Sequence, residues 1–173
     1  MRWLRFLFFI PVSMLLLQSD SCRVKYGFNG GRIFDDSVTV SVITFTNSAP
    51  LAKATAAQTI SEALRDGIQR QSKLKMVPKD GDLNYEGSIT GYAVTPVAIQ
   101  AGGTNQAAMN RLTITVNVKY TDGVNDKFSF ESAFSRYSDF PTSQNLSAVE
   151  DQLIKDISDQ LVQDIINKSI NAW

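Results

Sequence analysis

Residues 110–121, NRLTITVNVKYT, decide the fold class of this chain. Apolar and polar side chains alternate strictly through ten of these residues, with Leu112, Ile114, Val116, Val118 and Tyr120 set against Arg111, Thr113, Thr115, Asn117 and Lys119. A period of two is the pattern of a β-strand, whose successive side chains point to opposite faces of a sheet. The sequence therefore predicts a sheet with one apolar face against a core and one polar face toward water or a polar partner.

Three further strands are predicted around this one. Residues 37–45, SVTVSVITF, begin with valine at every second position, and residues 82–96 form the strand that precedes the decisive one. The pair Asp122-Gly123 predicts a short turn, after which KFSFESAFSRY places Phe128, Phe130 and Phe134 on one face. About four strands are therefore expected.

Two helices are predicted from apolar stripes with spacings of three and four residues. Pro50 is expected to open the first, whose stripe comprises Leu51, Ala54, Ala57, Ile60, Leu64 and Ile68. The second is expected over residues 145–171, with Ser147 and Glu150 as a capping box and a stripe of Leu146, Val149, Leu153, Ile157, Leu161 and Ile165. The order β-α-β-β-β-α predicts one α+β domain over residues 36–173, a two-layer sandwich of a mixed sheet with both helices on one face.

The N-terminus has the layout of a secretory signal. Arg2 and Arg5 precede an apolar block at residues 6–17, and small polar residues follow it. A membrane-spanning helix needs about 20 apolar residues, which this block lacks. We therefore expect residues 1–21 to be a signal peptide that is removed, and residues 22–35 to be a tether. The mature chain would keep roughly 150 residues, the length of one domain.

The single cysteine, Cys22, lies where the apolar block gives way to polar sequence. A lone cysteine in an exported chain forms an intermolecular disulfide, stays a free thiol or is modified. The segment Ser19-Asp20-Ser21-Cys22 resembles the lipobox of bacterial lipoproteins, although Ser19 and Asp20 depart from its pattern. This resemblance implies cleavage before Cys22 and attachment of acyl chains to it. An ordinary secreted protein with an incidental thiol is the alternative.

Composition narrows the function classes. The chain has no histidine and balances 17 Lys+Arg with 17 Asp+Glu. Nucleic-acid binding is not expected without a basic surplus, and the usual general base and transition-metal ligand are missing. The stretch DGDLNYE at residues 80–86 superficially has the spacing of a calcium loop, but Tyr85 and Gly91 stand where such a loop needs glycine and glutamate. We therefore predict neither an enzyme nor a metal or cofactor site.

The order of elements and several segments resemble the LptE family of outer-membrane lipoproteins. The segments are LAKATAAQTISEALRDGIQRQSKLKMV, LNYEGSITGYAVTPVAIQA, NRLTITVNVKYT, AFSRYSDF and LSAVEDQLIKDISDQLVQDIINKSINAW. The resemblance implies a non-catalytic role: a lipid-anchored, periplasm-facing protein of the outer membrane that plugs the β-barrel LptD and assists lipopolysaccharide transport. A binding lipoprotein of another envelope transport complex is the alternative.

The loop at residues 97–110, VAIQAGGTNQAAMN, is long for a hairpin and carries no charge. Loops of this length are usually functional or mobile rather than structural. If strands and helices alternate in direction, the loop lies at the opposite end of the domain from the tether. We predict partner-binding residues there, namely Gln100, Thr104, Asn105, Gln106 and Asn110. The resemblance also implies lipopolysaccharide contact through basic residues, for which Arg111 and Lys119 are the candidates. A second basic cluster, Arg70, Lys73, Lys75 and Lys79, is expected at the tether end, where a solvated surface is the simpler interpretation.

Overall fold

The computed structural model describes residues 38–97 and 108–171, and within them the chain alternates between a sheet and two helices. The elements in chain order are β1 (Thr39–Val42), β2 (Thr46–Asn47), α1 (Ala56–Gln71), β3 (Lys75–Met76), β4 (Leu83–Val97), β5 (Met109–Asp122), a 3-10 turn (Asp126–Phe128), β6 (Phe130–Pro141) and α2 (Leu146–Ser169). The predicted α+β class with two helices and a mixed sheet is confirmed.

The sheet has the order β3-β1-β4-β5-β6, and β2 also pairs with β4. Strands β1 and β2 run parallel to β4, whereas β4, β5 and β6 form an antiparallel meander. The described residues thus contain two more strands than predicted, β2 and β3. Each has two residues, which is too short for an alternating pattern to show in the sequence.

The core lies between one face of the sheet and the two helices. The alternating residues Leu112, Ile114, Val116, Val118 and Tyr120 of β5 are each at most 1% exposed. From α2, Ile157, Leu161 and Ile165 are fully buried, and Ile60, Leu64 and Ile68 of α1 join the same cluster. The predicted apolar faces of β5 and α2 are therefore confirmed, and so is the first helical stripe from Ala57 onward, whereas Ala54 in that stripe is exposed.

Helix α1 begins at Ala56, not at Pro50 as predicted, and Leu51 is 77% exposed. The side chain of Asn47 explains the difference. Its amide oxygen accepts the N–H of Ala49, and its amide nitrogen donates to the carbonyl of Ala52. These bonds hold the segment around Pro50 in turns, because an asparagine side chain competes with helical hydrogen bonding.

The predicted capping box of α2 is also wrong. Asn145 is the N-cap, and its side-chain oxygen accepts the backbone N–H of Ser147 at 3.2 Å. Ser147 therefore lies inside the helix, and Glu150 is free for a different contact. Asparagine and serine are both favoured N-caps, so the sequence alone did not distinguish them.

Two ends of the domain follow from the register. At one end, which we call the tether end, Thr39 pairs with Lys75, and the N–H of Gly123 donates to the carbonyl of Asp82 at 2.7 Å. At the other, the distal end, Met109 pairs with both Val97 and Pro141. This arrangement agrees with the predicted alternation of directions. None of the helices in the described ranges has the length and hydropathy required to cross a membrane.

Candidate partner-binding surfaces

The predicted site residues fall into two groups. Cys22, Gln100, Thr104, Asn105 and Gln106 lie outside the described residues. Asn110, Arg111 and Lys119 lie on β5. The structure therefore bears directly on the second group only.

Asn110 does not share a face with Arg111. It pairs with Pro96 and Phe140, so its side chain lies on the same face of the sheet as Leu112, toward the helix layer. Phe140 beside it is 3% exposed, and Asn110 itself is partly exposed. Asn110 therefore lies at the rim of the core on the helix side of the distal end.

The distal end extends beyond the helix layer. Four successive residues of β4, Ala93 to Pro96, are exposed, and because neighbours in a strand point in opposite directions, both faces are uncovered there. Before this stretch, the hydroxyl of Tyr92 on β4 donates to Glu150 Oε1 of α2 at 2.5 Å. Burial and this bond raise the pKa of Tyr92. About 17 Å of strand continues past this contact.

The positive charge of Arg111 is already paired. Its Nε and Nη2 donate to the two carboxylate oxygens of Asp139 at 2.7 and 2.9 Å, and its guanidinium carbon lies 3.6 Å from the centre of the Tyr137 ring. The hydrogen bond and the positive charge hold the pKa of Asp139 below its ordinary value. An anionic ligand would have to compete with Asp139 for this guanidinium.

Lys119 has a different environment on the same polar face. It lies eight residues further along β5 than Arg111, or roughly 27 Å. In register it stands between Glu86 and Glu131, and it takes no part in the ion pairs among the described residues. Asn84 and Asn117 donate to these two carboxylates. The structure therefore does not bring Arg111 and Lys119 into one basic patch.

The sequence analysis missed Tyr137 and Asp139 as partners of Arg111. The strand register is the information that identifies them, since Arg111 lies directly opposite Asp139 and Thr113 lies opposite Tyr137. Cross-strand pairs of opposite charge stabilise sheets, but they can be recognised only when the register is known. Between Arg111 and Lys119, the polar face of β5 carries small hydroxyl and amide side chains, such as Thr115, whose hydroxyl oxygen lies 3.0 Å from that of Ser135.

Two carboxylates of the DGDLNYE stretch, Asp82 and Glu86, accept hydrogen bonds within the sheet. Asp82 accepts the backbone N–H and the hydroxyl of Thr39 at 2.8 and 2.7 Å, which lowers its pKa. Asn84 accepts the hydroxyl of Ser41 at 2.7 Å. Over residues 38–97 and 108–171, no group of acidic, cysteine or histidine side chains has the arrangement of a metal site.

The Arg111–Asp139 pair predicts a measurable titration. Arg111→Ala should raise the pKa of Asp139 toward about 3.9, the value of an unperturbed aspartate. Because the native pKa is lowered, the pair stabilises the fold at neutral pH, and this contribution is lost as the pH falls through the native pKa. This contribution should be small, because both side chains are 31% exposed and solvent screens the pair. Carboxyl-detected NMR titration measures the shift.

Lys119→Ala is the control and should leave the pKa of Asp139 unchanged. An unchanged pKa of Asp139 in Arg111→Ala would contradict the pairing.

Three solved structures are similar in fold to this chain. A minor lipoprotein from Acinetobacter baumannii is 14% identical, with a TM-score of 0.47, and the match covers 75% of this chain and 90% of that one. The rare lipoprotein B from Shewanella oneidensis is 11% identical, with a TM-score of 0.45 and coverage of 73% and 91%. An uncharacterized lipoprotein B from Nitrosomonas europaea is 20% identical, with a TM-score of 0.41 and coverage of 75% and 80%.

No curated protein matches the sequence significantly. The family model for LptE, described as Lipopolysaccharide-assembly, matches residues 37–169. This match covers nearly all of the described residues, including both helices and the whole sheet. The chain therefore belongs to the LptE family of lipopolysaccharide-assembly lipoproteins.

Proposed function

We propose that this protein is the lipoprotein partner of an LptD-like outer-membrane β-barrel, which it plugs and helps to assemble for lipopolysaccharide transport. Family membership supports the general role in lipopolysaccharide assembly. The observation that favours insertion into a barrel is the uncovered distal end of β4. A strand exposed on both faces and lying opposite the chain's entry point is suited to contact a partner on two sides.

The polar face of the sheet fits the same partner. Barrels of the outer membrane have polar interiors, so an inserted domain meets hydroxyl, amide and charged groups there. The described polar face offers Thr113, Thr115, Asn117 and Ser135 for such contacts. We assign barrel contact to this face at the distal end, together with Gln100, Thr104, Asn105 and Gln106 in the segment between β4 and β5, and Asn110 at its end.

The anchor completes the proposal. After removal of residues 1–21, acyl chains on Cys22 would hold the protein in the outer membrane, facing the periplasm, with residues 22–35 as a tether. Direct contact with lipopolysaccharide would use Arg111 near the distal end. A phosphate group of lipopolysaccharide would compete there with Asp139, whose carboxylate accepts two hydrogen bonds from the guanidinium. Lys119 would be a separate contact, because Glu86 and Glu131 flank it.

Affinity purification from outer membranes tests the partner directly. The native protein, extracted in mild detergent, should bring down a β-barrel protein identified by mass spectrometry. Thr95→Arg, at an exposed position on the polar face of the distal end, should lower this recovery, whereas Lys155→Glu on an exposed position of α2 should not. Recovery of a different envelope transport complex, without a barrel, would favour the alternative of a binding lipoprotein for that complex.

A further inference from the structure

A basic patch lies at the tether end of the domain. It comprises Arg70 in the last turn of α1, Lys73 after the helix, Lys75 on β3 and Lys79 beyond it. All four residues are exposed, and none takes part in the ion pairs found among the described residues. No acidic residue interrupts residues 67–79, although the whole chain is balanced in charge.

The patch lies beside the point where the N-terminal segment joins the domain. Lys75 pairs in register with Thr39, the first residue of β1. If Cys22 carries the anchor, the sixteen residues from it to Val38 span at most about 55 Å when fully extended. The anchor would thus keep this end of the domain within about 55 Å of the bilayer surface.

The acidic residues at this end of the domain do not neutralise the positive charge of the patch. Asp126 lies near the β5–β6 turn, three strands away from β3 in the sheet, or about 14 Å. That spacing exceeds the Debye length of about 8 Å at physiological ionic strength. Asp80 adjoins Lys79 in sequence, and the Asp82 carboxylate is held against β1 by Thr39. Among the described residues, Asp80 and Asp66, one turn before Arg70 in α1, are the acidic residues nearest to the four basic ones in sequence.

An apolar side chain is exposed at the same end. Val124 is 57% exposed and follows Gly123, whose N–H donates to Asp82 at the start of β4. Basic residues that share one end of a domain with an exposed apolar side chain are suited to the surface of an anionic bilayer, where the charges attract lipid phosphates and the apolar group enters the interface.

We propose that the basic patch binds anionic phospholipid headgroups of the membrane leaflet that carries the anchor. The inference rests on the proposed anchor at Cys22, but not on the barrel partner. Each basic residue near an anionic surface contributes about fivefold in affinity, so the patch would orient the domain with its tether end at that leaflet. The lipid anchor alone does not fix this orientation.

Vesicle binding of the Cys22→Ser mature chain, which lacks the anchor, tests the proposal without any barrel. The protein should co-sediment with vesicles of phosphatidylethanolamine and phosphatidylglycerol at low salt, and not with vesicles of phosphatidylcholine alone. Adding Lys75→Glu, a change of two charge units, should lower binding about 30-fold. Lys155→Glu makes the same change on an exposed position of α2 and should alter binding no more than about twofold.

Lys73→Glu, outside the strands, repeats the test in case Lys75→Glu perturbs β3. Equal binding to both kinds of vesicle, or equal loss in Lys75→Glu and Lys155→Glu, would overturn the proposal. The proposal would also be overturned if Lys75→Glu and Lys73→Glu left vesicle binding unchanged but lowered the recovery of a partner protein. In that case the patch would bind a protein. Since no barrel is present in the vesicle assay, its failure leaves the proposed plug function standing.

Discussion

Replacing Leu161 with alanine should lower the free energy of unfolding by about 2–5 kcal/mol. Leu161 is fully buried in α2 and belongs to the same cluster as Ile157 and Val116, which are also fully buried. Truncation removes apolar contacts and leaves a cavity that a packed core fills only in part. Chemical denaturation of the Cys22→Ser mature domain, followed by circular dichroism, measures the change.

Leu51→Ala is the matched control, because it removes the same atoms from a side chain that is 77% exposed. It should change the free energy of unfolding by no more than about 0.5 kcal/mol. A large loss in Leu51→Ala with no loss in Leu161→Ala would show that the first helix starts at Pro50 and that the stripe of α2 faces water.

Cys22→Ser should move the protein from the membrane to the soluble periplasmic fraction. Acyl chains contribute about 0.8 kcal/mol per buried CH₂, so two or three of them anchor a protein that one holds only marginally. The basic patch alone gives weaker binding that salt screens. Fractionation in high salt and without overproduction of a barrel partner therefore measures the contribution of the anchor.

Ser21→Ala provides the control, since it changes the neighbouring residue and keeps the thiol. This variant should stay in the membrane, and mass spectrometry of its N-terminal peptide should show an acylated Cys22. An unmodified thiol in the native protein, or an N-terminus that does not begin at Cys22, would contradict the lipobox interpretation.

Arg23 follows the cysteine, and so the aspartate often associated with retention in the inner membrane is absent.

The sheet and the core could be predicted because their signal is periodic and local. Alternation in β5 identifies Leu112, Ile114 and Val116 as core residues without knowledge of any partner, since the period of a strand is fixed by its geometry. The stripe of α2 is equally local, and Ile157, Leu161 and Ile165 are all buried. The antiparallel pairing of β5 with β6 was predicted from the short turn between them.

Features that depend on distant residues could not be predicted. Strands β2 and β3 exist because they pair with β4 and β1, and two residues carry no pattern of their own. The start of α1 depends on the side chain of Asn47, which competes with helix formation at Pro50. Single side chains of this kind override propensity through hydrogen bonds that only the folded chain defines.

The candidate site was predicted only in part. Arg111 and Lys119 became candidates because the family resemblance implies basic residues at this site, but their environments come from the register. Arg111 is paired with Asp139, whereas two glutamates flank Lys119. The two basic residues therefore have different electrostatic environments on the same strand. The assignment of Asn110 to the helix face also depends on register, because a shift of one residue would move it to the other face.

Site-specific photo-crosslinking in cells tests the proposed orientation most directly. A crosslinker at Thr95, exposed on the distal part of β4, should capture a β-barrel protein, whereas one at Lys75 in the basic patch should not. Both positions are exposed, so folding is expected to be unchanged and the comparison depends on location alone. Strong capture of the barrel from Lys75 with none from Thr95 would show that the domain enters the barrel tether end first and would contradict the account.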